Sequence, residues 1–434
     1  MSPDMIGVLG VAALLILLAL GAPIAVSLGV VGMAGLAVLI SPEAALIKAG
    51  VVAFDMVSKY ELGVLPLFLL MAHLCFAAGA SQNFYDSAAK FIGHKPGGLA
   101  LASIVGCAGF GAISGSSLAT VATMGLVALP EMRKRSYSPA LATGALAAGG
   151  TIGSLTPPSA ALIVYGILAE QSIGRLFTAA IIPAVTQALF YMAVIWMLCK
   201  WRPAMGPPSP RVAWPERIAS LKGLIDVGLL VLLVIGGIAA GWFSPTEAAS
   251  IGAVGALAIC AWRRRLTLPA LSKAVGDTLR TTGMIYAIII AAIIFSTFIS
   301  ATGFGELISG AIADAGLSKL GVIIAFVILL LALGMFLDGL AMMTLVIPIF
   351  LPITHQMGID PIWFGILMVR TMEIGFVHPP VGMNVYVIHN LARDIPLMTI
   401  FKGIVPFLLA DLAHVALIVA VPATALFLPQ LLGA

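Results

Sequence analysis

Charge is what this sequence has least of. Lys, Arg, Asp and Glu make up 9% of its 434 residues and hydrophobic residues 61%, where average soluble domains carry about 25% charged residues. That balance excludes a soluble globular domain and makes lipid the expected solvent. Cysteine is scarce as well: Cys75, Cys107, Cys199 and Cys260 lie scattered in apolar surroundings without metal-type spacing, so neither a disulfide framework nor a zinc site follows, and they read as small core residues. The first apolar run is preceded by Met1-Ser2-Pro3-Asp4 rather than by a basic stretch, and Met5 to Ile40 is too long for the apolar part of a cleaved signal. It is expected to be retained as two spans turned at Gly21-Ala22-Pro23. The net charge of +4 makes no case for nucleic acid, because its basic residues serve better as topology signals.

What is present is long apolar sequence. Met5 to Ile40, Leu176 to Cys199 and Thr281 to Gly305 contain no charged side chain, and about 20 apolar residues suffice to cross a bilayer. The chain is therefore predicted to be an all-α polytopic membrane protein. Its basic clusters, Arg133-Lys134-Arg135, Lys200 to Lys222 and Arg263-Arg264-Arg265, mark cytoplasmic loops, and the stretches between them have room for pairs of spans. Leu99 to Pro130 is broken at Ser114-Gly115-Ser116-Ser117 and flanked by basic residues at both ends, and Leu320 to Pro352 is broken at Asp338-Gly339. Both read as re-entrant hairpins, whose tips must be buried in protein or face water, because irregular backbone is not tolerated against lipid. Thr267 to Arg280 reads as a surface helix on the cytoplasmic face, and the proline-rich Trp201 to Trp214 as a stiff linker.

The prolines carry a period. Pro130, Pro139, Pro157 and Pro158 recur 222 residues later as Pro352, Pro361, Pro379 and Pro380, and Gly153 recurs as Gly375. Each predicted unit is a hairpin, a short connection and a span broken by a double proline. Five spans lie between the hairpins, and an odd number inverts the second copy. A single Pro-Pro reads first as a kink relieved by neighbouring helices; two copies facing two hairpin tips favour a polar cavity instead. Inverted repeats with interrupted helices place solute and coupling ion where the breaks meet, freed carbonyls favouring Na+ and half-helix N-termini favouring anions. The expected organisation is scaffold helices over 1–80, a first transport repeat over 81–175, scaffold, linker and arm helices over 176–302, a second transport repeat over 303–399 and a C-terminal helix over 400–434.

Four segments then resemble a known family. "FGAISGSSLAT" from Phe110, "GTIGSLTPPSA" from Gly150 running into Leu162-Ile163-Val164-Tyr165-Gly166, "MFLDGLAMMTLVIPIFLP" from Met335 and "PPVGMNVYVI" from Pro379 are similar to the large permease subunit of tripartite ATP-independent periplasmic (TRAP) transporters, the DctM family. The resemblance implies an elevator-type importer in the bacterial inner membrane, driven by Na+, without an organic cofactor, for a small organic anion such as a carboxylate or sugar acid. It also implies two partners as separate chains, a small four-helix membrane subunit and a periplasmic substrate-binding protein. Carried over by residue, the first sodium site would use Ser114, Gly115 and Ser116 with Gly153, Thr156 and Pro158. The second would use Gly334, Asp338 and Gly339 with Gly375 and His378. His378 stands where many family members have Thr, and a neutral imidazole is a poor Na+ ligand.

Beside these, Ser117 and Asn384 flank the two breaks and are expected solute contacts, because a carboxylated solute needs donors. Asp338 is an intramembrane carboxylate, an ion or gating residue or a helix cap. Arg370 and Glu373, three apart on one helix, are expected to pair with each other. Asp411 and His414 are expected to bond each other or a partner subunit. Two other functions compete: a stand-alone ion-coupled symporter, which a charged clamp at a break would favour although no Arg or Lys falls there, and an intramembrane hydrolase using Ser116 or Ser117 with a His base, for which no suitably placed His is evident.

Overall fold

The computed structural model describes residues 2–314 and 316–433, and every regular element among them is helical. Seven helices are long and apolar enough to cross a membrane, from Tyr60–Ala77 with 18 residues to Leu268–Ala301 with 34. The pair Pro139–Leu155 and Ala160–Leu168, bent by 43° at the first double proline, makes an eighth span when counted as one. Several helix starts are written locally: Ser41-Pro42, Ser244-Pro245 and Asp360-Pro361 each place a capping side chain before a proline at the first helical position. The cap satisfies an orphan N–H, and the proline needs no acceptor there. Ser244 and Glu247 complete a reciprocal capping box.

The first arm of each hairpin is shorter. Gly98–Ser114 has 17 residues and Lys319–Gly334 has 16, and at about 1.5 Å per residue such helices reach only some 25 Å, less than a hydrocarbon core of about 30 Å. Each arm turns into a helix running back, Ser117–Lys134 in the first hairpin and Gly339–Gln356 in the second. These return helices are displaced from one another by 222 residues at both ends, the same offset as the prolines.

Small residues let the helices approach closely. A Cβ added to Gly403 would fall 2.0 Å from Ala140 O, and one on Gly144 would fall 2.3 Å from Gly403 O. Leu397–Ala420 is thereby seated against Pro139–Gly150, backbone on backbone, as in other small-residue crossings in lipid. The outward faces carry exposed Val30, Leu46, Phe54, Leu232 and Val254, a surface suited to acyl chains.

Two expectations change in detail. Thr267 to Arg280 is no separate surface helix: Thr267 caps Leu268–Ala301, which continues without a break for about 50 Å. No proline or turn sequence lies between Arg280 and Met284 to stop it. The 201–214 linker is stitched to the first hairpin, with Gly97 N donating to Gly206 O at 2.8 Å, Ser138 N to Met205 O at 2.9 Å and Ser209 N to Gly93 O at 2.8 Å. Its rigidity therefore comes from backbone pairing as well as from proline.

Candidate functional site

At the first tip the helix Gly98–Ser114 ends at Gly115, whose φ of +58° suits a residue without a side chain. A Cβ there would also meet Pro158 O at 2.4 Å. Ala160 N donates to Gly115 O at 3.3 Å. Tip and break are thus in backbone contact. Gly153 lies against the tip from the other side, where a Cβ would come within 2.5 Å of Thr120 Oγ1 and 2.9 Å of Ser116 O. Ser114 Oγ is 2.8 Å from Thr120 Oγ1 and 3.5 Å from Ser116 O. Two oxygens, Thr120 Oγ1 and Ser116 O, therefore face the space that a side chain at Gly153 would fill, and Ser114 Oγ is hydrogen-bonded to both.

The structure places Ser114, Gly115, Ser116, Gly153 and Pro158 beside one another, with Thr120 among them. Ser116 contributes its carbonyl, since its hydroxyl caps the return helix at Ala119 N, 3.4 Å away. Thr156 turns its hydroxyl back to Ile152 O at 2.8 Å. The break itself is closed by Ser159, which accepts from Leu162 N at 3.3 Å and donates to Ser154 O. One fully buried hydroxyl thereby serves both helix ends that the prolines leave open.

At the second tip Gly334 and Gly375 meet, with a Cβ on Gly375 only 2.7 Å from Gly334 Cα and 2.8 Å from Gly334 O. Gly339 packs against Met372. Asp338 accepts from Ala341 N at 3.0 Å and so caps its own helix. The His378 ring folds onto the next carbonyl, Nδ1–H donating to Pro379 O. Among the described residues no hydrogen bond joins Asp338 or His378 to Gly334 or Gly375, and Asp338 is the only one of the five with a side-chain oxygen. This break is closed by backbone: Gly382, with φ +60°, starts Met383–Leu391, and Asn384 N donates across to Phe376 O at 2.9 Å. Both double prolines contain a cis peptide bond.

Between the breaks lies a polar seam. Ser117 Oγ donates to Glu373 Oε2, Ser117 N donates to Ser154 Oγ at 3.0 Å, and Asn384 Nδ2 donates to Ala147 O at 3.1 Å. Ser117 and Asn384 are both buried, so a solute would reach them only through movement of the surrounding helices. Arg370 does not pair with Glu373. It crosses instead to Leu397–Ala420, with Nη2 on Asp411 Oδ1 and Nε on His414 Nδ1 at 2.9 Å. Because Arg Nε can only donate, Nδ1 of His414 accepts, which leaves the ring proton on Nε2, 2.8 Å from Thr186 Oγ1. Tyr191 OH joins Asp411 at 2.5 Å, and Gln187 Nε2 reaches Thr151 Oγ1 at 2.8 Å and Tyr191 OH at 3.1 Å. The network runs from just before the first break to just before the second. Spacing could not reveal it, since Arg370 and Asp411 lie 41 residues apart.

Membrane-crossing helices, and two interrupted helices each meeting the tip of a helical hairpin, define a multi-pass transport protein. The family described as "Tripartite ATP-independent periplasmic transporter, DctM component" matches residues 11–424. The C4-dicarboxylate TRAP transporter large permease protein DctM of Pseudomonas aeruginosa is 34% identical, covering 88% of each chain. The sialic acid large permease protein SiaM of Vibrio cholerae is 31% identical over 86% of this chain and 87% of its own. The ectoine/5-hydroxyectoine large permease protein UehC of Ruegeria pomeroyi is 30% identical over 84% and 85%. The fold is shared with the YdaH transporter of Alcanivorax borkumensis at a TM-score of 0.60 and 14% identity, covering 88% of this chain and 89% of that one. The chain belongs to the DctM family of TRAP large permeases: it is a multi-pass protein of the bacterial inner membrane, and a transporter rather than an enzyme.

Proposed function

We propose that this permease imports a small organic anion, a carboxylate or sugar acid, on an inward sodium gradient. A periplasmic binding protein delivers the solute, and a small four-helix membrane subunit completes the complex. The relatives are named for C4-dicarboxylates, sialic acid, isethionate and ectoine, solutes that share a carboxylate or sulfonate. The observation that carries the sodium reading is the oxygen cluster at the first tip, where Ser116 O and Thr120 Oγ1 face the space beside Gly153 and Ser114 Oγ is hydrogen-bonded to both. Hard oxygen donors in a water-poor interior suit a hard monovalent cation, with Pro158 O beside them. In the second half Gly334, Asp338, Gly339, Gly375 and His378 are the corresponding candidates, and there the carbonyls are better placed than the imidazole.

No Lys or Arg lies at either tip or break, so recognition of the anion falls to neutral donors, Ser117 and Asn384 among them. That favours delivery by a binding protein over capture from dilute solution. In this reading the repeats over 81–175 and 303–399 move as the carrier against the scaffold of 1–80 and 176–302, by an elevator stroke. The Leu397–Ala420 helix, seated on Gly144 through Gly403, travels with the carrier.

The test is uptake of carboxylates and sugar acids into proteoliposomes holding the permease and its small subunit, with and without a Na+ gradient and purified binding protein. Uptake that requires both is expected. Uptake without any binding protein would instead define a direct symporter.

A further inference from the structure

Glu373 is fully buried, and a buried carboxylate needs compensation, since an unpaired charge in a dry interior costs several kcal/mol or more. The arginine one turn before it on the same helix does not supply this, because Arg370 is engaged by Asp411 and His414. Glu373 belongs to none of the four ion pairs among the described residues. Its Oε1 has no hydrogen-bond partner among the described residues.

The donors around it point one way. Ser117 N donates to Ser154 Oγ at 3.0 Å, Ser154 Oγ donates to Ser117 Oγ at 3.3 Å, and Ser117 Oγ donates to Glu373 Oε2. Every proton runs toward the carboxylate, so Glu373 Oε2 is an acceptor, and each of the two hydroxyls keeps one lone pair unused. Ser117 and Ser154 are buried with it. The three side chains come from the first return helix, the first broken helix and the second broken helix, so an ion held there would bridge the two halves.

We propose that Glu373, Ser117 and Ser154 form a cation site of their own, taking Na+ at the junction of the two halves in addition to the sites at the hairpin tips. The proposal rests on the sodium-coupled reading. It gives the carboxylate the counter-charge that Arg370 withholds, with hard oxygens as ligands.

The test is equilibrium binding of radioactive 22Na+ to the purified complex of permease and small subunit, with thermal unfolding as a control for folding. Glu373→Gln, close to isosteric, is expected to unfold like the wild type and to bind one Na+ fewer per permease. Glu373→Asp is expected to keep the full count at lower affinity. A full count at unchanged affinity in Glu373→Gln overturns the proposal and leaves the sodium reading standing, whereas absence of Na+ binding by the wild type overturns both. Should Glu373→Gln fail to fold, Ser117→Ala combined with Ser154→Ala replaces it. A raised half-saturating Na+ in one binding step is then expected, and an unchanged binding curve overturns the proposal.

Discussion

The two broken helices solve one backbone problem by different chemistry. The first is closed by a hydroxyl, Ser159, and touches its hairpin tip through Pro158 and Gly115; its prolines are buried. The second has Val381 at the matching position, is closed by backbone across Gly382, and leaves Pro380, Val381 and the tip residue Phe336 exposed. What fixes the second broken helix is charge further back, the Arg370 pair with Asp411. A buried tip held by hydroxyls is a pre-formed oxygen site, whereas an open tip held from behind has room to move. The comparison teaches that equal proline spacing does not make equal sites.

If charge holds the second helix, removing one partner should have the largest effect. Arg370→Met or Asp411→Leu alone leaves a buried charge unpaired and is expected to cost about 3–5 kcal/mol, read as thermal unfolding in detergent. The double variant is expected to recover most of that stability. Failure of the double variant to recover would place the network's value in its hydrogen bonds to Tyr191 and His414.

Glycine substitutions come next and should separate the halves. Gly375→Ala drives a methyl into the backbone of Gly334, and overpacking of this kind costs about 1–3 kcal/mol, with loss of uptake expected. Gly153→Ala meets Thr120 Oγ1, which can turn away, and a single backbone atom, Ser116 O at 2.9 Å, where Gly375→Ala meets backbone alone, so stability should fall somewhat less while Na+ activation of uptake suffers. Equal losses of stability would erase the distinction.

Ser159→Ala is expected to cost roughly 1–2 kcal/mol, because it leaves a buried helix end without its bond. Val381→Ser at the exposed counterpart should be close to neutral, and differential scanning of the two variants measures the contrast.

The smallest effect belongs to the exposed ion pair Arg133–Asp394, at 2.8 Å, which joins the end of the first return helix to the loop after Met383–Leu391. The hydrogen bond from Arg133 holds the Asp394 carboxyl below its usual range. A depressed folded-state value means that its contribution is present at neutral pH and is lost as pH falls through that value. Protection of the amides of residues 392–395, corrected for the intrinsic pH dependence of exchange, should therefore fall on acidification in the wild type, and Asp394→Asn should remove that change.

Much of this was legible in the sequence. The prolines and Gly153/Gly375 placed both breaks, the Ser-Gly-Ser and Asp-Gly stretches placed both tips, and Ser-Pro and Asp-Pro steps marked helix starts, because capping and φ restriction act within a few residues. Partners were not legible. A same-helix neighbour looked like the natural mate for Arg370, but its partner is a carboxylate on a facing helix 41 residues away. Thr120 lay inside a recognisable motif without a spacing rule to single it out, since only the hairpin turn brings it back to Ser114. His378 was flagged as a poor ligand from its chemistry, and its ring does turn onto its own backbone.

The most direct measurement is the Na+ activation curve of uptake for Ser114→Ala and Thr120→Val beside the wild type in proteoliposomes with binding protein. If these hydroxyls hold the coupling ion, half-saturating Na+ rises roughly tenfold, about 1.4 kcal/mol of lost ion binding, while uptake at saturating Na+ stays near the wild-type level. Superimposable curves for all three proteins would contradict a cation site at the first tip.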